Sequence, residues 1–167
     1  LYRNKGDLDR AAECFHQSIE IAREIGNRHS QAINLGNLGD ILFQQKRLEE
    51  AEDAFRKAIP IGDEAYSLAA GAFRGSLALI RAYQGAFDEA RTLLAQGEAQ
   101  VRGVYKEELG KLLCKKARVE HLAGDPAAAA TALAEAESIA DDLETGPDSE
   151  LGQALAEARA ALSGSDA

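Results

Sequence analysis

The sequence predicts an all-α fold in which antiparallel helix pairs stack into a right-handed superhelix, an α-solenoid, with a C-terminal capping helix. A pattern of small and large apolar residues recurs along the 167-residue chain at intervals of 39 or 40 residues. Ala and Leu supply most of the apolar side chains and only 5% of the residues are aromatic, which favours helices over sheets. No useful length of chain alternates polar and apolar residues with the period of two typical of strands.

The repeat is visible when the chain is aligned with itself without gaps. Four segments match: GDLDRAAECF from Gly6, KRLEEAEDAF from Lys46, GAFDEARTLL from Gly85 and GDPAAAATAL from Gly124. Each holds an alanine with a large apolar residue four positions later, and these two side chains share one helix face. The aligned alanines are Ala11, Ala51, Ala90 and Ala129, and a second column of small residues holds Gly39, Ala78 and Ala117. These small residues predict close contacts between two helices.

The start of each aligned segment has the residues of a turn that leads into a helix. Gly6, Gly85 and Gly124 are expected where a helix ends, because glycine adopts a positive φ without a Cβ penalty. Asp7, Asp88 and Asp125 can cap the next helix or place negative charge in its first turn. Lys46 departs from the glycine column, so we expect a strained turn there.

The repeat columns and the turn residues together predict eight helices, at about 7–25, 28–45, 48–61, 64–84, 87–102, 104–122, 126–143 and 148–163. Turn signals between them are Gly26-Asn27, Gly62-Asp63, Gly103 and Gly146-Pro147. Pro60 predicts a kink or a stop near Ile59. The last helix has Leu151, Leu155 and Leu162 on one stripe, which favours a cap on the stack. The alternative is that this helix pairs with another chain.

These columns resemble the tetratricopeptide repeat (TPR) family, whose signature is Leu-Gly-x-x-Tyr in the first helix of a repeat and Ala-x-x-x-Phe in the second. Leu38-Gly39-Asp40-Ile41-Leu42 with Ala51 and Phe55 is the best match, and Tyr2 occupies the tyrosine column of a truncated first repeat. The repeat length is similar to the ~40-residue subclass of partner-of-Inscuteable-like, kinesin-light-chain-like and bacterial regulator arrays. The chain departs from the signature with Leu94 and Leu133 in the phenylalanine column and with Arg81 and Glu120 in the tyrosine column.

The resemblance implies a single TPR-like domain over residues 1–167. Its parts are a truncated first repeat (1–26), a second repeat (28–62), a third (64–103), a fourth (104–143) and the capping helix (148–163). It also implies a concave groove that binds peptides through the first helix of each repeat. Carried over by position, the groove residues are Asn37, Asp40, Gln44, Ser76, Leu79, Tyr83, Cys114, Lys115, Arg118 and His121.

Lys111, Lys115 and Arg118 form the one basic cluster of the sequence, at positions i, i+4 and i+7 of one helix face. As a binding site, they predict a clamp for an acidic or carboxylate-bearing peptide. The alternative is a solvated face whose charges pair with Glu107, Glu108 and the acidic helix that follows. The sequence leaves both open.

Several classes of function are disfavoured by composition and motifs. A net charge of −9 argues against nucleic-acid binding, which needs a basic face. No apolar run reaches the ~18 residues of a membrane span. Cys14 and Cys114 are predicted to be reduced thiols of a cytoplasmic protein. His16, His29 and His121 lack the spacing of metal ligands, and no catalytic or phosphate-binding motif is present. We therefore expect no enzyme activity, no cofactor and no metal.

The predicted function is that of a protein-interaction scaffold that binds a peptide or helix in its groove, with an acidic partner at the fourth repeat. One alternative is the regulatory or sensor arm of a larger signalling enzyme, such as a kinase, a cyclase or an NTPase, whose catalytic domain is absent. Another is a self-association module. Because the first repeat is interrupted, Phe15 and Ile19 are expected to be partly uncovered, and a homodimer through this repeat is possible.

Overall fold

The structure is a computed structural model that describes residues 5–164, with the side chains of residues 7–164. Within that range it contains eight helices and no strand, as the sequence predicts. They are α1 (Lys5–Glu24), α2 (Arg28–Gln44), α3 (Leu48–Ala65), α4 (Ser67–Tyr83), α5 (Phe87–Val101), α6 (Lys106–Leu122), α7 (Pro126–Asp142) and α8 (Glu150–Leu162). Tyr2, assigned above to the tyrosine column, lies outside the described residues.

The turns of the aligned glycine column have the predicted chemistry with one exception. Gly85 and Gly124 have φ of 79° and 78°, and Lys46, which stands in the same column, has φ of 63°. A lysine in this left-handed region confirms the strained turn expected there. Gly6 is the exception, because it lies inside α1 and not in a turn.

The predicted stop at Pro60 is wrong, because α3 continues through Pro60 to Ala65. Proline removes one backbone donor, but Pro60 is exposed, and water can solvate the carbonyl group that loses its bond. Gly62, predicted in a turn, is buried in α3, where a Cβ atom would lie 3.0 Å from the Cβ of Ala70. The turn therefore falls at Tyr66, and α4 begins at Ser67 instead of residue 64.

Two other helices begin later than predicted. The start of α6 is Lys106 instead of residue 104, and the start of α8 is Glu150 instead of residue 148. Ser149 caps α8, since its side chain accepts a hydrogen bond from the backbone N–H of Gly152 at 3.0 Å. Asp125 caps α7 in the same way through the N–H of Ala128 at 2.9 Å.

The chain divides into two compact units, residues 1–73 and 74–167, with the boundary inside α4. In the first unit α2 packs against both α1 and α3. The fully buried ring of Phe55 lies over Gly39, where a Cβ atom would come within 2.8 Å of it. The ring of Phe73 packs in the same way against Gly36, where it would collide with a Cβ atom. Small residues on α2 thus admit large rings, as the second column predicts.

In the second unit α6 is the central helix, and it packs against α5, α7 and α8. Leu112 and Leu113 of α6 are fully buried, as is Leu151 of α8, which lies over Gly110. Leu155 and Ala158 are buried beside Leu151, whereas Leu162 is only half-buried. The stripe that attaches α8 therefore runs through Leu151, Leu155 and Ala158.

The alanine column is buried at its last three positions. Ala51, Ala90 and Ala129 have no exposed surface, which confirms their predicted role at helix contacts. Ala11 and Phe15, the equivalents on α1, are only half-buried, because no described helix packs on that side.

The rest of α1 is only partly as expected. The expectation that Ile19 is partly uncovered is wrong, because Ile19 is buried against α2 with 9% of its surface exposed. The exposed apolar residues of α1 and its following turn are instead Ile21, at 58%, and Ile25, at 70%.

Candidate binding face

The three basic residues of the cluster lie on α6 in the second unit, and each contacts a residue 39 positions away in the chain. Lys115 reaches back to Ser76 on α4, whereas Lys111 and Arg118 reach forward to Glu150 and Glu157 on α8. The interval equals the repeat length, so equivalent positions of every second helix, α4, α6 and α8, face one another. We call Lys111, Lys115 and Arg118 the basic face.

Lys111 is neutralised by two carboxylates. Its Nζ atom lies 2.6 Å from Glu150 Oε2, and it also pairs with Glu108 one turn earlier on α6. Burial lowers the pKa of Lys111, but the hydrogen bonds to Glu108 and Glu150 outweigh it, so the net shift is upward. The same contact lowers the pKa of Glu150. Lys111 therefore links α6 to α8 as a charged pair.

Lys115 has a neutral partner. Its Nζ atom donates a 2.7 Å hydrogen bond to Ser76 Oγ, and no described carboxylate forms a salt bridge with it. Ser76 itself is buried, with 8% of its surface exposed. The partner of the ammonium group in the described residues is thus a hydroxyl group on α4 and not a carboxylate.

Arg118 lies between α4 and α8. Its Nη2 atom donates to the hydroxyl oxygen of Tyr83 at 3.0 Å, and its Nη1 atom donates to Glu157 Oε2 at 3.2 Å. Only 14% of the Arg118 side chain is exposed, against 69% for Glu157. The Nε atom of Arg118 is the one buried side-chain nitrogen or oxygen in the described residues without a hydrogen-bond partner. The guanidinium group is therefore incompletely satisfied.

Of the two interpretations of the cluster, pairing with carboxylates applies to Lys111 and Arg118, but their glutamates lie on α8 and not on α7, the acidic helix that follows α6. Glu108 takes part as expected, whereas Glu107 instead accepts a hydrogen bond from the hydroxyl group of Tyr105. Lys115 is outside this pairing. Within the basic face, Lys111 is thus neutralised by carboxylates, Arg118 is partly satisfied and Lys115 has a neutral partner.

The remaining predicted groove residues differ in accessibility. Leu79 and Cys114 belong to the core, with 3% and 1% of their surfaces exposed. Burial raises the pKa of the Cys114 thiol to about 12. Tyr83 and His121 are exposed in the second unit, and in the first unit Gln44 is exposed while Asn37 and Asp40 are half-buried. Leu79 and Cys114 therefore offer no surface to a partner.

Two arginine–glutamate pairs were missed by the sequence interpretation. Glu120 is nearly buried and accepts hydrogen bonds from Nε and Nη2 of Arg91, the shorter at 2.6 Å. Arg81 donates to Glu89 at 2.7 Å. Both Arg81 and Glu120 stand in the column where tyrosine is usual. Their departure from the signature was the available signal, because a charged residue in a column that packs between helices needs a charged partner where it loses contact with water.

A charged cluster around Glu98 joins α5 to α6. Glu98 pairs with Arg102 at 2.6 Å and with Lys116 of α6 at 3.0 Å. Burial raises the pKa of Glu98, but the hydrogen bonds from Arg102 and Lys116 lower it by more, so the net shift is downward. This carboxylate is part of the packing between α5 and α6.

Residues 5–164 contain no group of three or more His, Cys, Asp or Glu side chains placed to hold a metal ion. None of their helices combines the length and the hydropathy that crossing a membrane requires.

Comparison with known proteins identifies a family and a similar fold for this architecture. The profile of a family described as the MalT-like TPR region matches residues 1–167. Among solved structures, BtubC (BKLC) from P. vanneervenii, a kinesin light chain-like TPR protein, is similar with a TM-score of 0.68 at 19% identity. The alignment covers 84% of this chain and 59% of that chain, so this chain spans less than two thirds of the BtubC length. At this identity the likeness shows the fold, a TPR-type helical solenoid. A search of curated proteins found no match.

Proposed function

Since the chain belongs to the MalT-like TPR region family, we propose that it is a protein-interaction module that binds a peptide or a helix along the first helices of its repeats. Arrays of this type present extended surfaces made by successive helices, which suit binding better than catalysis. In the second unit the first helices are α6 and the part of α4 from Arg74 onward, and the basic face lies on α6.

The observation that carries the proposal is Lys115 together with Arg118 in a chain of net charge −9. Lys115 has only a neutral partner and Arg118 is incompletely satisfied, so both can donate further hydrogen bonds to carboxylate oxygens. The partner proposed for this face is an acidic segment of another protein. Electrostatic attraction to such a segment weakens as salt shortens the Debye length to about 8 Å at physiological ionic strength.

The test is the binding of peptides graded in net charge to the 167-residue chain at low and at physiological salt. We expect acidic peptides to bind best, and the Lys115→Glu/Arg118→Glu variant to lose more than the ~0–1 kcal/mol of an exposed ion pair. Arg23→Glu/Lys57→Glu is the control, because it makes the same charge change at two exposed residues of the first unit. Equal losses in the two variants would contradict recognition by the basic face.

A second candidate role is self-association through α1 as a homodimer. It is supported by the exposure of Ile21 and Ile25 and by the half-buried Ala11 and Phe15. Their equivalents in the second and third aligned segments are buried, namely Ala51, Phe55, Ala90 and Leu94. Sedimentation velocity over a range of concentrations tests it, with Ile21→Glu/Ile25→Glu as the variant. A parent chain that stays monomeric at the highest concentration excludes this role.

A regulatory or sensor arm of a larger signalling enzyme, such as a kinase, a cyclase or an NTPase, would use the same binding face. The family is described as a region, which supports this alternative. Expression of the chain together with any sequence that flanks it in its gene, followed by assays of nucleotide turnover, tests it directly.

A further inference from the structure

Resting on the proposed function, we infer that Lys115 and Arg118 receive one acidic side chain of the partner, and that Glu157 of α8 occupies this position until the partner replaces it. Lys115 and Arg118 are three positions apart on α6, which places their Cβ atoms about 5–6 Å apart on one face. One carboxylate can therefore contact both cations.

The two cations have more donors than the described residues use. An ammonium group has three N–H donors and a guanidinium group has five. Lys115 uses one of them for Ser76, and Arg118 makes one hydrogen bond from each Nη atom and none from Nε. A buried donor without an acceptor costs free energy, so an arrangement that satisfies more of the Arg118 donors is favoured.

Glu157 is a weak occupant of this position. It contacts Arg118 through one oxygen at 3.2 Å, and 69% of its side chain is exposed. A carboxylate that binds arginine through both oxygens makes a stronger contact than one that binds through a single oxygen. Such a ligand would take the place of Glu157 at Arg118, while Ser76 and Tyr83 on α4 keep their hydrogen bonds to the two cations.

Lys111 is excluded from this site although it belongs to the same face. Its ammonium group already lies between Glu108 and Glu150, so a further carboxylate there would meet two negative charges. α6 and α8 thus each supply a matched control residue for the inference. Lys111 is the control for Lys115, and Glu150 is the control for Glu157.

The experiment measures fluorescence anisotropy of labelled hexaglutamate with the 167-residue chain, and hexaglutamine is the uncharged control. Lys115→Gln and Arg118→Gln should each weaken hexaglutamate binding roughly tenfold or more, as expected for loss of a hydrogen-bonded charge. Lys111→Gln should weaken it by less than about threefold, because that charge is already neutralised. Glu157→Gln should tighten binding by about two- to fivefold, the range of an exposed ion pair, and Glu150→Gln should leave it within about twofold.

Thermal melts of each variant show whether it folds. If Arg118→Gln does not fold, the binding of hexaglutamate to Lys115→Gln and to Glu157→Gln still tests the inference. A loss in Lys111→Gln as large as that in Lys115→Gln would overturn the inference, since it indicates general attraction to positive charge. Equal tightening by Glu157→Gln and Glu150→Gln would overturn the replacement step. If hexaglutamate does not bind but peptides of another charge class do, this site is wrong while the proposed interaction function stands.

Discussion

Lys46 shows how one residue can carry the strain of a turn. Its φ is 63°, whereas Gly85 and Gly124 in the equivalent turns have φ near 79° without a Cβ atom to penalise it. Lys46→Gly should therefore stabilise the chain by about 1 kcal/mol, the lower end of the cost of a left-handed non-glycine residue. Urea unfolding followed by circular dichroism measures the change.

The reciprocal variant serves as the control for this prediction. Gly85→Lys places a Cβ atom at φ of 79° and should destabilise the chain by about 1–2 kcal/mol. If Lys46→Gly has no effect or destabilises, the strain assigned to this turn is absent.

The two thiols should differ sharply in reactivity. Cys14 is exposed on α1, whereas Cys114 is 1% exposed and its pKa is raised to about 12 by burial, so little of it is thiolate at neutral pH. In the native chain an aromatic disulfide reagent should modify one thiol rapidly and the second only on unfolding. Cys14→Ser should abolish the fast phase, and a fast phase of two thiols would show that the α6 core opens readily.

At the scale of the helices, the close contacts depend on the aligned alanines. Ala51 on α3 and Ala90 on α5 have no exposed surface, so a larger side chain at either position must push helices apart. Ala51→Leu and Ala90→Leu should each cost roughly 1–3 kcal/mol of unfolding free energy by overpacking. Ala95→Leu, at an exposed position of α5, is the control and should be nearly neutral. Melting temperatures compare the three, and unchanged values for the buried pair would show that the register is wrong.

The ends of the helices show where tertiary packing outweighs local sequence signals. Pro60 is a strong local signal for a stop, yet α3 continues for five residues beyond it. The proline lies on the exposed side of α3, whereas Ile59 and Gly62 are buried. Because tertiary burial outweighs the loss of one solvated hydrogen bond, the helix ends at Ala65.

For the molecule as a whole, Glu98 and Glu150 predict the dependence of stability on pH. The pKa of each is lower in the folded chain than the ordinary value of 4.5. Their contribution to stability is therefore fully present above about pH 4.5 and is lost as the pH falls through the lowered folded value. Thermal melts between neutral and strongly acidic pH should be flat at first and then decline below about pH 4.5.

Glu98→Gln tests the origin of this decline. The variant should lose about 1–2 kcal/mol at neutral pH, because Arg102 and Lys116 lose a charged partner, and should decline less steeply in acid. Glu20→Gln removes an exposed pair with Arg23 and should change the profile little. If the acid decline of Glu98→Gln is as steep as that of the parent, other carboxylates control it.

The sequence by itself determined the helical class, the repeat interval and the place of the basic face. These properties depend on spacing within a single helix, where 3.6 residues per turn decide which side chains share a face. The spacing of Lys111, Lys115 and Arg118 and the burial of Ala51, Ala90 and Ala129 could be predicted for that reason.

Only the tertiary structure decided which partners the cations have and which groove positions belong to the core. Lys115 takes the Ser76 hydroxyl group, while Lys111 and Arg118 take glutamates of α8, although all three are equally basic in the sequence. Leu79 and Cys114 are buried at positions where the resemblance implies a groove surface. Such outcomes depend on distances between side chains of different helices, which the spacing along one helix does not specify.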